Sequence, residues 1–337
     1  MPFLALRHTV CVLVVVMVMM RGVRDNHERL HVGGAFMQHA QRTRSEDQGH
    51  QGKASKQRLH NRNVGRASTA GKRNVRTRER SRLARMRRPP LKVFPSTLWE
   101  YPSQHYDMKD ADGFTVTVQG DKDYVGATPS WVIWQLLQRY TREGDVVLDP
   151  MCGSGTTIDV CTHLKRQAVG FDLSPTRDEI QQADARALPQ PDASVDFAFV
   201  DPPYSTHVNY SSDPRCIGKL DASGDDGGEA YYQAMERVLH EMHRTLKNRR
   251  YAAVYVSDSW RKRKGEKGGG GGVFMPIGFE LFARMRELFT MIDVVCVVRH
   301  NAKLERGDFA RAALEGNFFM RGFNYLMIGK KVDDDRR

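Results

Sequence analysis

From Val93 onward, short apolar runs alternate with longer stretches in which apolar residues recur at helical spacing. The apolar runs predict strands at 146–148, 168–171, 197–200, 252–256, 294–298 and 325–328. The amphipathic stretches predict helices at 130–140, 157–164, 231–246 and 279–288. Strands and helices in alternation are typical of a mainly parallel sheet covered on both faces. We therefore predict one doubly wound α/β domain over residues 93–331, with a mostly parallel sheet and a charged tail at 332–337.

The first 92 residues follow a different pattern. Residues 9–20 (TVCVLVVVMVMM) are uncharged and apolar, but this run is shorter than the roughly 20 residues that a membrane span needs. We interpret residues 1–24 as a targeting-like segment or as translated leader ahead of the true start, in preference to a secretion signal. Residues 25–92 lack apolar periodicity and are rich in Arg, Gln, His, Asn, Ser and Gly, which predicts a disordered basic arm.

Charge separates the same two parts of the chain. The whole chain has 52 Lys and Arg against 40 Asp and Glu, a formal net charge of +12. Residues 1–92 carry 21 basic and 5 acidic residues, a net of +16, so the predicted domain and its tail carry −4. Because Lys and Arg attract phosphate whatever its sequence, the arm could add targeting information or non-specific affinity for nucleic acid. A solvated tail without a specific role is an equal alternative.

The cysteines help to define the compartment. There are five, widely spaced and without a C-x-x-C pair, a pattern that indicates neither a disulfide framework nor a zinc site. We therefore expect an intracellular protein with reduced thiols, no metal and no stable membrane association. Its compartment would be the mitochondrion or nucleus in a eukaryote, and the cytoplasm or nucleoid in a bacterium.

A loop of small residues follows the first strand of the domain, in the string VVLDPMCGSGTT. Gly153 and Gly155 allow positive φ and a close approach of the backbone to a ligand, and the next helix begins with free N–H groups. A P-loop is excluded because no G-K-[ST] follows, and a dinucleotide fingerprint is excluded because the third glycine is missing. Asp149, just before the loop, would repel a pyrophosphate. It suits a cofactor with a cationic amino group.

Further acidic residues follow the next predicted strands. Asp172 ends the second strand, at a position where a carboxylate grips a ribose diol, and Asp184 lies where a third strand should end. Asp201 begins the string DPPY after the strand at 197–200. Its two prolines remove two amide donors and leave carbonyl groups free to accept hydrogen bonds. We expect a carboxylate, a carbonyl and the Tyr204 ring close together, a set suited to a planar group with an exocyclic amino group.

With LDPMCGSGTT, DPPY and the upstream stretch ATPSWVIWQLLQRYTREGDVV, the chain resembles the S-adenosylmethionine-dependent N4-cytosine/N6-adenine DNA methylase family. STLWEYPSQHY, QGDKDYVGATPS, DPPYSTHVNYSSDPRCIGKL and VVRHNAKLERG resemble a group of bacterial DNA methylases, and the likeness extends over roughly residues 95–331. The resemblance implies a Rossmann-like class I methyltransferase fold with a mostly parallel seven-stranded sheet. It also implies S-adenosyl-L-methionine as cofactor, and DNA adenine N6 or cytosine N4 as the methyl acceptor. An RNA base methylase is the alternative, and a non-catalytic nucleic-acid-binding module is a further one.

The resemblance also implies roles for individual residues. Asp149 would hold the amino-acid end of the cofactor, Asp172 its ribose and Asp184 its adenine. The cofactor set as a whole is Asp149, Pro150, Cys152, Gly153, Gly155, Thr156, Asp172, Asp184 and Ala185. Asp201 and the Pro202 carbonyl would bind the target amino group while Tyr204 stacks on the base. The catalytic set is Asp201, Pro202, Pro203 and Tyr204.

The segment directly after DPPY is expected to clamp a base that has been flipped out of its duplex. Basic residues near the carboxyl terminus are expected to contact phosphates. The residues after DPPY could instead be ordinary polar loop residues, but their position directly after this motif favours a functional role. The aromatic residues among the carboxyl-terminal group could equally belong to the core. The candidate substrate contacts are His207, Asn209, Tyr210, Arg215, Lys219, Arg299 and Asn301.

Overall fold

The structure is a computed structural model, and it describes residues 89–116, 119–121, 123–262, 272–299 and 309–333. The expected leader, most of the expected basic arm, Asn301 and most of the charged tail lie outside the described residues. The helices are α1 (Ser130–Tyr140), α2 (Thr156–His163), α3 (Glu229–Thr245), α4 (Ile277–Leu288) and α5 (Phe309–Gly316). The first six strands are β1 (Leu98–Trp99), β2 (Met108–Lys109), β3 (Thr115–Val116), β4 (Val146–Asp149), β5 (Gln167–Asp172) and β6 (Ile180–Gln182). The others are β7 (Val195–Val200), β8 (Leu246–Val256), β9 (Ser259–Lys262), β10 (Gly272–Met275), β11 (Thr290–Val298) and β12 (Phe323–Lys330).

Eight of these strands form one sheet in the order β1-β11-β12-β8-β7-β4-β5-β6. Neighbours from β8 to β6 run parallel, and β12 is antiparallel to both β8 and β11. The predicted doubly wound, mostly parallel sheet is confirmed. It has one strand more than the predicted seven, because Leu98–Trp99 pairs in parallel with Cys296–Val297 at the edge. Two residues are too few to give a strand pattern in the sequence.

The central strand β7 explains how both faces of the sheet are covered. All six of its residues are buried, which is typical of a parallel strand packed on both sides. Because successive side chains point to opposite faces, Phe197 and Phe199 pack with Trp131 of α1, while Ala198 and Val200 pack with the α3 and α4 side. Burial of an aromatic or large aliphatic side chain stabilises the fold by about 1.5–3 kcal/mol.

The parallel strands bring their carboxyl ends to one edge of the sheet. Asp149 ends β4 and Asp172 ends β5, while Asp201 follows the last residue of β7. In open α/β sheets this edge is where ligands bind. Among the residues described, no helix is long and apolar enough to cross a membrane.

Candidate active site

A cleft of about 840 Å³, including space open to solvent, lies at the carboxyl ends of β4, β5, β6 and β7. Ten of the residues predicted for the cofactor or catalytic sets line it: Asp149, Pro150, Cys152, Gly153, Thr156, Asp172, Asp184, Ala185, Asp201 and Pro203. Tyr210, predicted as a substrate contact, also lines this cleft. The structure therefore brings together most of the residues that the sequence singled out.

The glycine loop between β4 and α2 has two residues with positive φ. Gly153 has φ 52°, and Gly155, which caps α2, has φ 81°. A Cβ atom on Gly153 would lie 3.0 Å from the Tyr124 hydroxyl, and one on Gly155 would lie 2.7 Å from Nη1 of Arg177. Both positions therefore favour glycine for conformation, and a Cβ at either would press on a neighbouring side chain. Gly153 lines the cleft, whereas Gly155 faces Arg177 and shapes the loop from behind.

Asp149 is the buried acid of the loop. Its carboxylate accepts a 2.5 Å hydrogen bond from the Thr157 hydroxyl and a 3.1 Å bond from the Met151 amide. Removal from water nevertheless raises the pKa of Asp149 to about 7, and the nearby charge of Asp172 adds to the rise. A cation bound in the cleft would relieve this unfavourable charge.

Two further acids line the same cleft, and their surroundings differ. Asp172 accepts hydrogen bonds from the amides of Gly153 at 3.1 Å and Ser174 at 2.8 Å. Asp184 instead pairs with Arg186 at 2.7 Å, and this hydrogen bond lowers the pKa of Asp184. Asp172 thus joins the end of β5 to the glycine loop, whereas Asp184 is already neutralised by its neighbour.

These walls fit the cofactor that the resemblance implies. Asp149 offers a desolvated acid to an ammonium group, and Asp172 lies at the tip of the next strand, where a ribose diol can be held. A Cβ atom on Gly153 would fill the space next to this residue, which leaves room for a ligand to approach the backbone. The first turn of α2 presents free N–H groups at the same loop. The small side chains of Ala183 and Ala185 line the cleft next to Asp184.

Asp201 receives hydrogen bonds on both oxygens. The Thr128 hydroxyl donates to Oδ2 at 2.7 Å, and the Tyr204 hydroxyl donates to Oδ1 at 2.8 Å. Removal from water raises the pKa of Asp201 to about 7, against the opposing effect of these two bonds, and the charge of Asp149 raises it further. The carboxyl group is thus oriented by two donors and changes its charge near neutral pH.

The carbonyl groups of the two DPPY prolines differ in the hydrogen bonds that they accept. The Pro203 carbonyl accepts from the Tyr231 hydroxyl at 2.7 Å and from the Ser205 amide at 3.1 Å. Among the described residues, none donates a hydrogen bond to the Pro202 carbonyl. An acceptor therefore remains beside Asp201.

A second cavity, of about 1170 Å³, adjoins the first. Asp201 lines both, together with Tyr124, Gly126 and Ala127, so its carboxyl group lies at the junction. Four aromatic side chains and several polar ones form the other walls of the second cavity. Among them are Tyr101, Trp131, Tyr204, Tyr255, Gln104, Arg299 and Asn324. Stacking surfaces combined with hydrogen-bonding groups suit a heterocyclic base.

The predicted substrate contacts are scattered. His207 and Asn209 lie away from both cavities, and the His207 ring is hydrogen-bonded to the Ser259 hydroxyl. Arg215 pairs with Asp213 at 2.7 Å, and the Lys219 ammonium donates to a backbone carbonyl at 2.6 Å. Of the predicted substrate residues that the structure describes, Arg299 is the one that lines the second cavity.

A segment upstream of α1 covers the glycine loop, and we call residues 119–121 and 123–128 the strap. The Gly120 amide donates to the Asp159 carboxylate of α2 at 2.6 Å. A Cβ on Gly120 would overlap the Thr156 hydroxyl, so the strap approaches the loop closely. Its last residue, Thr128, reaches Asp201. The strap therefore forms part of both cavities.

Sequence reasoning did not single out four residues of the site, namely Tyr124, Thr128, Tyr255 and Asn324. Tyr124 and Thr128 belong to QGDKDYVGATPS, a string that carried only the resemblance. Tyr255 and Asn324 lie on β8 and β12 among apolar residues, where they look like ordinary strand positions. Within the described ranges, no group of three or more His, Cys, Asp or Glu side chains could hold a metal ion.

Comparison with known proteins finds a family match over part of the chain. Residues 37–182 match the model of a family described as DNA methylase. This match contains the glycine loop and β5, and it begins within the segment expected to be a basic arm. The relationship therefore reaches further toward the amino terminus than the motifs indicated.

Curated relatives match over shorter segments. The type II methyltransferase M.HpaI of Haemophilus parainfluenzae is 34% identical over 80 residues, which are 24% of this chain and 22% of that protein. The type II methyltransferase M.Cfr9I of Citrobacter freundii is 40% identical over 75 residues, 20% of this chain and 25% of that protein. The chain thus spans a quarter or less of the length of the curated relatives it matches.

Solved structures overlap the chain only in part. TTHA0409 of Thermus thermophilus, solved with S-adenosyl-L-methionine, is 20% identical with a TM-score of 0.31, over 46% of this chain and 56% of that chain. TrmN from Thermus thermophilus is 17% identical with a TM-score of 0.39, over 62% of this chain and 50% of that chain. Over residues 37–182 the chain is thus similar to a DNA methylase family, and over shorter segments it is similar to type II methyltransferases.

Proposed function

We propose that the protein transfers a methyl group from S-adenosyl-L-methionine to an exocyclic amino nitrogen of a DNA base, adenine N6 or cytosine N4. The observation that carries this proposal is the position of Asp201 at the junction of the two cavities. A group bound in the second cavity would meet this carboxyl group at the point where the cofactor cleft opens. The family and its curated type II methyltransferase relatives support the same reaction class.

The first cleft would bind the cofactor through residues of three strands. Asp149 would hold the ammonium group of the amino-acid end, Asp172 the ribose hydroxyls, and Ala183 and Ala185 would flank the adenine. When bound, S-adenosyl-L-methionine supplies an electrophilic methyl group on a sulfonium. The chain's own residues then have to present a nitrogen lone pair to it.

Asp201 and Pro202 would supply that presentation. An exocyclic amino nitrogen is a poor nucleophile because its lone pair is delocalised into the ring. Hydrogen bonds from its two N–H groups to the Asp201 carboxylate and the Pro202 carbonyl would localise the lone pair and direct it toward the first cleft. With its pKa raised to about 7, Asp201 is also suited to take up the proton that the nitrogen loses.

A base in a duplex would have to be flipped into the second cavity, at a cost of a few kcal/mol. The Tyr101, Tyr204 and Tyr255 side chains would recover part of this cost by packing against the base. Arg299, on the wall of the same cavity, would attract the phosphate of the flipped nucleotide.

The proposal is tested with the purified full-length protein and cofactor labelled in the methyl group. Duplex DNA, single-stranded DNA and structured RNA are compared, and digestion with mass spectrometry identifies the methylated base. Label in DNA at N6 of adenine or N4 of cytosine is expected. Label found only in RNA would replace DNA by RNA as the substrate.

Asp201→Ala tests the site itself. It is expected to lose transfer and to keep cofactor affinity within about threefold, because the side chain acts on the acceptor. Asp178→Ala, at an exposed position on the loop after β5, is the matched control. Transfer that survives in Asp201→Ala would remove this site from the mechanism. Nucleic-acid binding without any transfer in the wild type would favour a non-catalytic binding module.

A further inference from the structure

We infer that Thr128 and Asn324 are positioning residues of the transfer reaction, which hold the Asp201 carboxyl group from opposite sides through a chain of hydrogen bonds. The inference rests on the proposed function. It assigns a role to two side chains that lie outside both the glycine loop and DPPY, one on the strap and one on β12.

The chain runs from Asn324 through Tyr204 to Asp201 and ends at Thr128. Nδ2 of Asn324 donates to the Tyr204 hydroxyl oxygen at 3.0 Å, and these residues are 120 positions apart in sequence. The Tyr204 hydroxyl donates to Oδ1 of Asp201 at 2.8 Å. The Thr128 hydroxyl donates to Oδ2 at 2.7 Å. Each oxygen of Asp201 thus receives one donor and retains a lone pair for an N–H group of the target.

Donor and acceptor roles follow from counting protons. Tyr204 has one hydroxyl proton, and it donates this proton in a hydrogen bond to the ionised Asp201 carboxylate. The Tyr204 oxygen can then only accept, so Asn324 must present its NH2 group and not its carbonyl oxygen. The hydrogen-bond chain therefore requires an amide donor at position 324 while Asp201 is ionised.

The surroundings of Asn324 indicate that this donor role is its function. Asn324 is 4% exposed and lines the second cavity. Its Oδ1 atom is buried and has no hydrogen-bond partner among the described residues. A buried amide whose NH2 group is hydrogen-bonded but whose oxygen is not destabilises the fold relative to an apolar residue of similar size. The bond to Tyr204 is the interaction that an apolar residue could not supply.

The same chain affects the ionisation of Asp201. Removal from water and the charge of Asp149 raise the pKa of Asp201, whereas the hydrogen bonds from Thr128 and Tyr204 and the charge of Arg299 lower it. The other titratable groups that act on Asp201 are the phenols Tyr124, Tyr210, Tyr231 and Tyr255, whose own pKa values burial raises, so that they stay neutral near pH 7. Loss of the Thr128 donor should therefore shift the pKa of Asp201 upward.

The experiment compares Thr128→Val, Thr128→Ser, Asn324→Asp and Tyr204→Phe with wild type in the full-length protein. Val removes the donor at constant size, Ser restores it, and an ionised Asp at position 324 cannot donate. Thr162→Val on the exposed side of α2 and Asn248→Asp at the start of β8 are matched controls remote from both cavities. For each variant, kcat, cofactor Kd and the pH profile of kcat are measured.

We expect kcat to fall at least tenfold in Thr128→Val, Asn324→Asp and Tyr204→Phe, with cofactor Kd within about twofold of wild type. The acidic limb of the profile should move to higher pH in Thr128→Val, and Thr128→Ser should restore both kcat and the limb. Unchanged kcat in Thr128→Val and Asn324→Asp would overturn the inference. A loss that is equal at all pH values and is not restored by Ser would also overturn it.

A second readout separates this inference from the proposed function. If the wild type transfers no methyl group to DNA or RNA, the proposed function fails. The pKa of Asp201 can still be measured in the same protein from its labelled carboxyl carbon, assigned by comparison with Asp201→Asn. A higher pKa of Asp201 in Thr128→Val than in wild type and in Thr128→Ser supports the hydrogen-bond chain, and an identical pKa in all three contradicts it.

Discussion

Asp149 and Asp201 lie at the carboxyl ends of the neighbouring parallel strands β4 and β7, and removal from water raises the pKa of each to about 7. The charge of Asp149 contributes to the rise at Asp201. The two acids therefore titrate in the same range, and the values observed in solution would belong to the pair. One acid faces the first cleft only and the other faces both cavities, so a single pH change alters both sites.

The raised pKa of Asp149 has a consequence for stability. A folded-state pKa above the usual 3.8 means that the folded protein loses stability as pH rises from about 4 to about 7, at about 1.4 kcal/mol per pK unit. Asp149→Asn removes this charge. We expect it to raise the Tm of the cofactor-free protein by several degrees at pH 8 and to leave it nearly unchanged below pH 4. Thermal denaturation across this pH range measures the effect.

Asp196 is the control with the opposite sign. Removal from water favours its protonated form, but the Val146 amide and Lys247 outweigh this effect and lower the pKa of Asp196. Its ionised form therefore stabilises the fold above its unfolded pKa, and that stability is lost in acid. Asp196→Asn should lower Tm at pH 8. A decrease of similar size in Asp149→Asn would contradict the assignment of an unfavourable buried charge.

The glycine loop gives a prediction with a matched pair of variants. Gly155 and Gly144 have nearly equal φ angles, 81° and 84°, but only Gly155 has a close neighbour, since nothing lies within 4 Å of a Cβ on Gly144. Alanine at either position should cost roughly 1–2 kcal/mol of conformational strain. Gly155→Ala should in addition push against Arg177 and lower cofactor affinity about tenfold. Chemical denaturation and calorimetric titration of the cofactor measure the two effects, and equal cofactor affinity in both variants would contradict the prediction.

Asp172→Ala tests the proposed ribose contact. The substitution removes the acceptor for the Gly153 amide and the group proposed to grip the diol, so both the loop and the ligand lose a partner. Loss of hydrogen bonds to a charged group predicts a fall in cofactor affinity of about tenfold to a hundredfold. Asp178→Ala should bind the cofactor like wild type. Calorimetric titration decides the point, and unchanged affinity in Asp172→Ala would assign the ribose to other residues.

Arg299→Ala tests the nucleic-acid side of the site. Arg299 lines the second cavity and its charge acts on Asp201, whereas Arg311 is exposed and pairs with Glu315 on α5. We expect Arg299→Ala to weaken DNA binding and to reduce the slope of log Kd against log salt by about one. Arg311→Ala should change neither by a comparable amount. Fluorescence anisotropy over a range of salt concentrations measures both, and similar slopes for wild type and Arg299→Ala would place the phosphate elsewhere.

The sequence was most informative where a chemical pattern coincided with a structural one. The helix predicted at 130–140 is α1 to the residue, and each predicted strand lies within or on an observed one, because apolar periodicity reports burial directly. The cofactor set converges for the same reason, since acids that end parallel strands must meet at one edge. Thr128 and Asn324 could not be predicted in this way. Their roles depend on a contact between segments 120 residues apart and on the arrangement of the strap.

In the loop after DPPY, by contrast, the sequence did not predict which residues contact which. Its basic and polar residues suggested a clamp, but composition does not reveal which charges are already paired. Arg215 forms an ion pair with Asp213, two residues away, and Tyr210 lies against Gly126 at the first cleft. Such local pairing depends on backbone turns that periodicity does not report.

The wall shared by the two cavities implies a thermodynamic linkage between their occupants. Tyr124, Gly126 and Ala127 line both spaces, so an occupant that shifts these residues on one side changes the shape offered on the other. If a bound cofactor changes the affinity for the acceptor base by some factor, the base must change the affinity for the cofactor by the same factor. The same reciprocity would hold between the affinities for the demethylated cofactor and for the methylated base. Under the proposed function, the strap would link the affinity for the product in one cavity to the affinity for the product in the other.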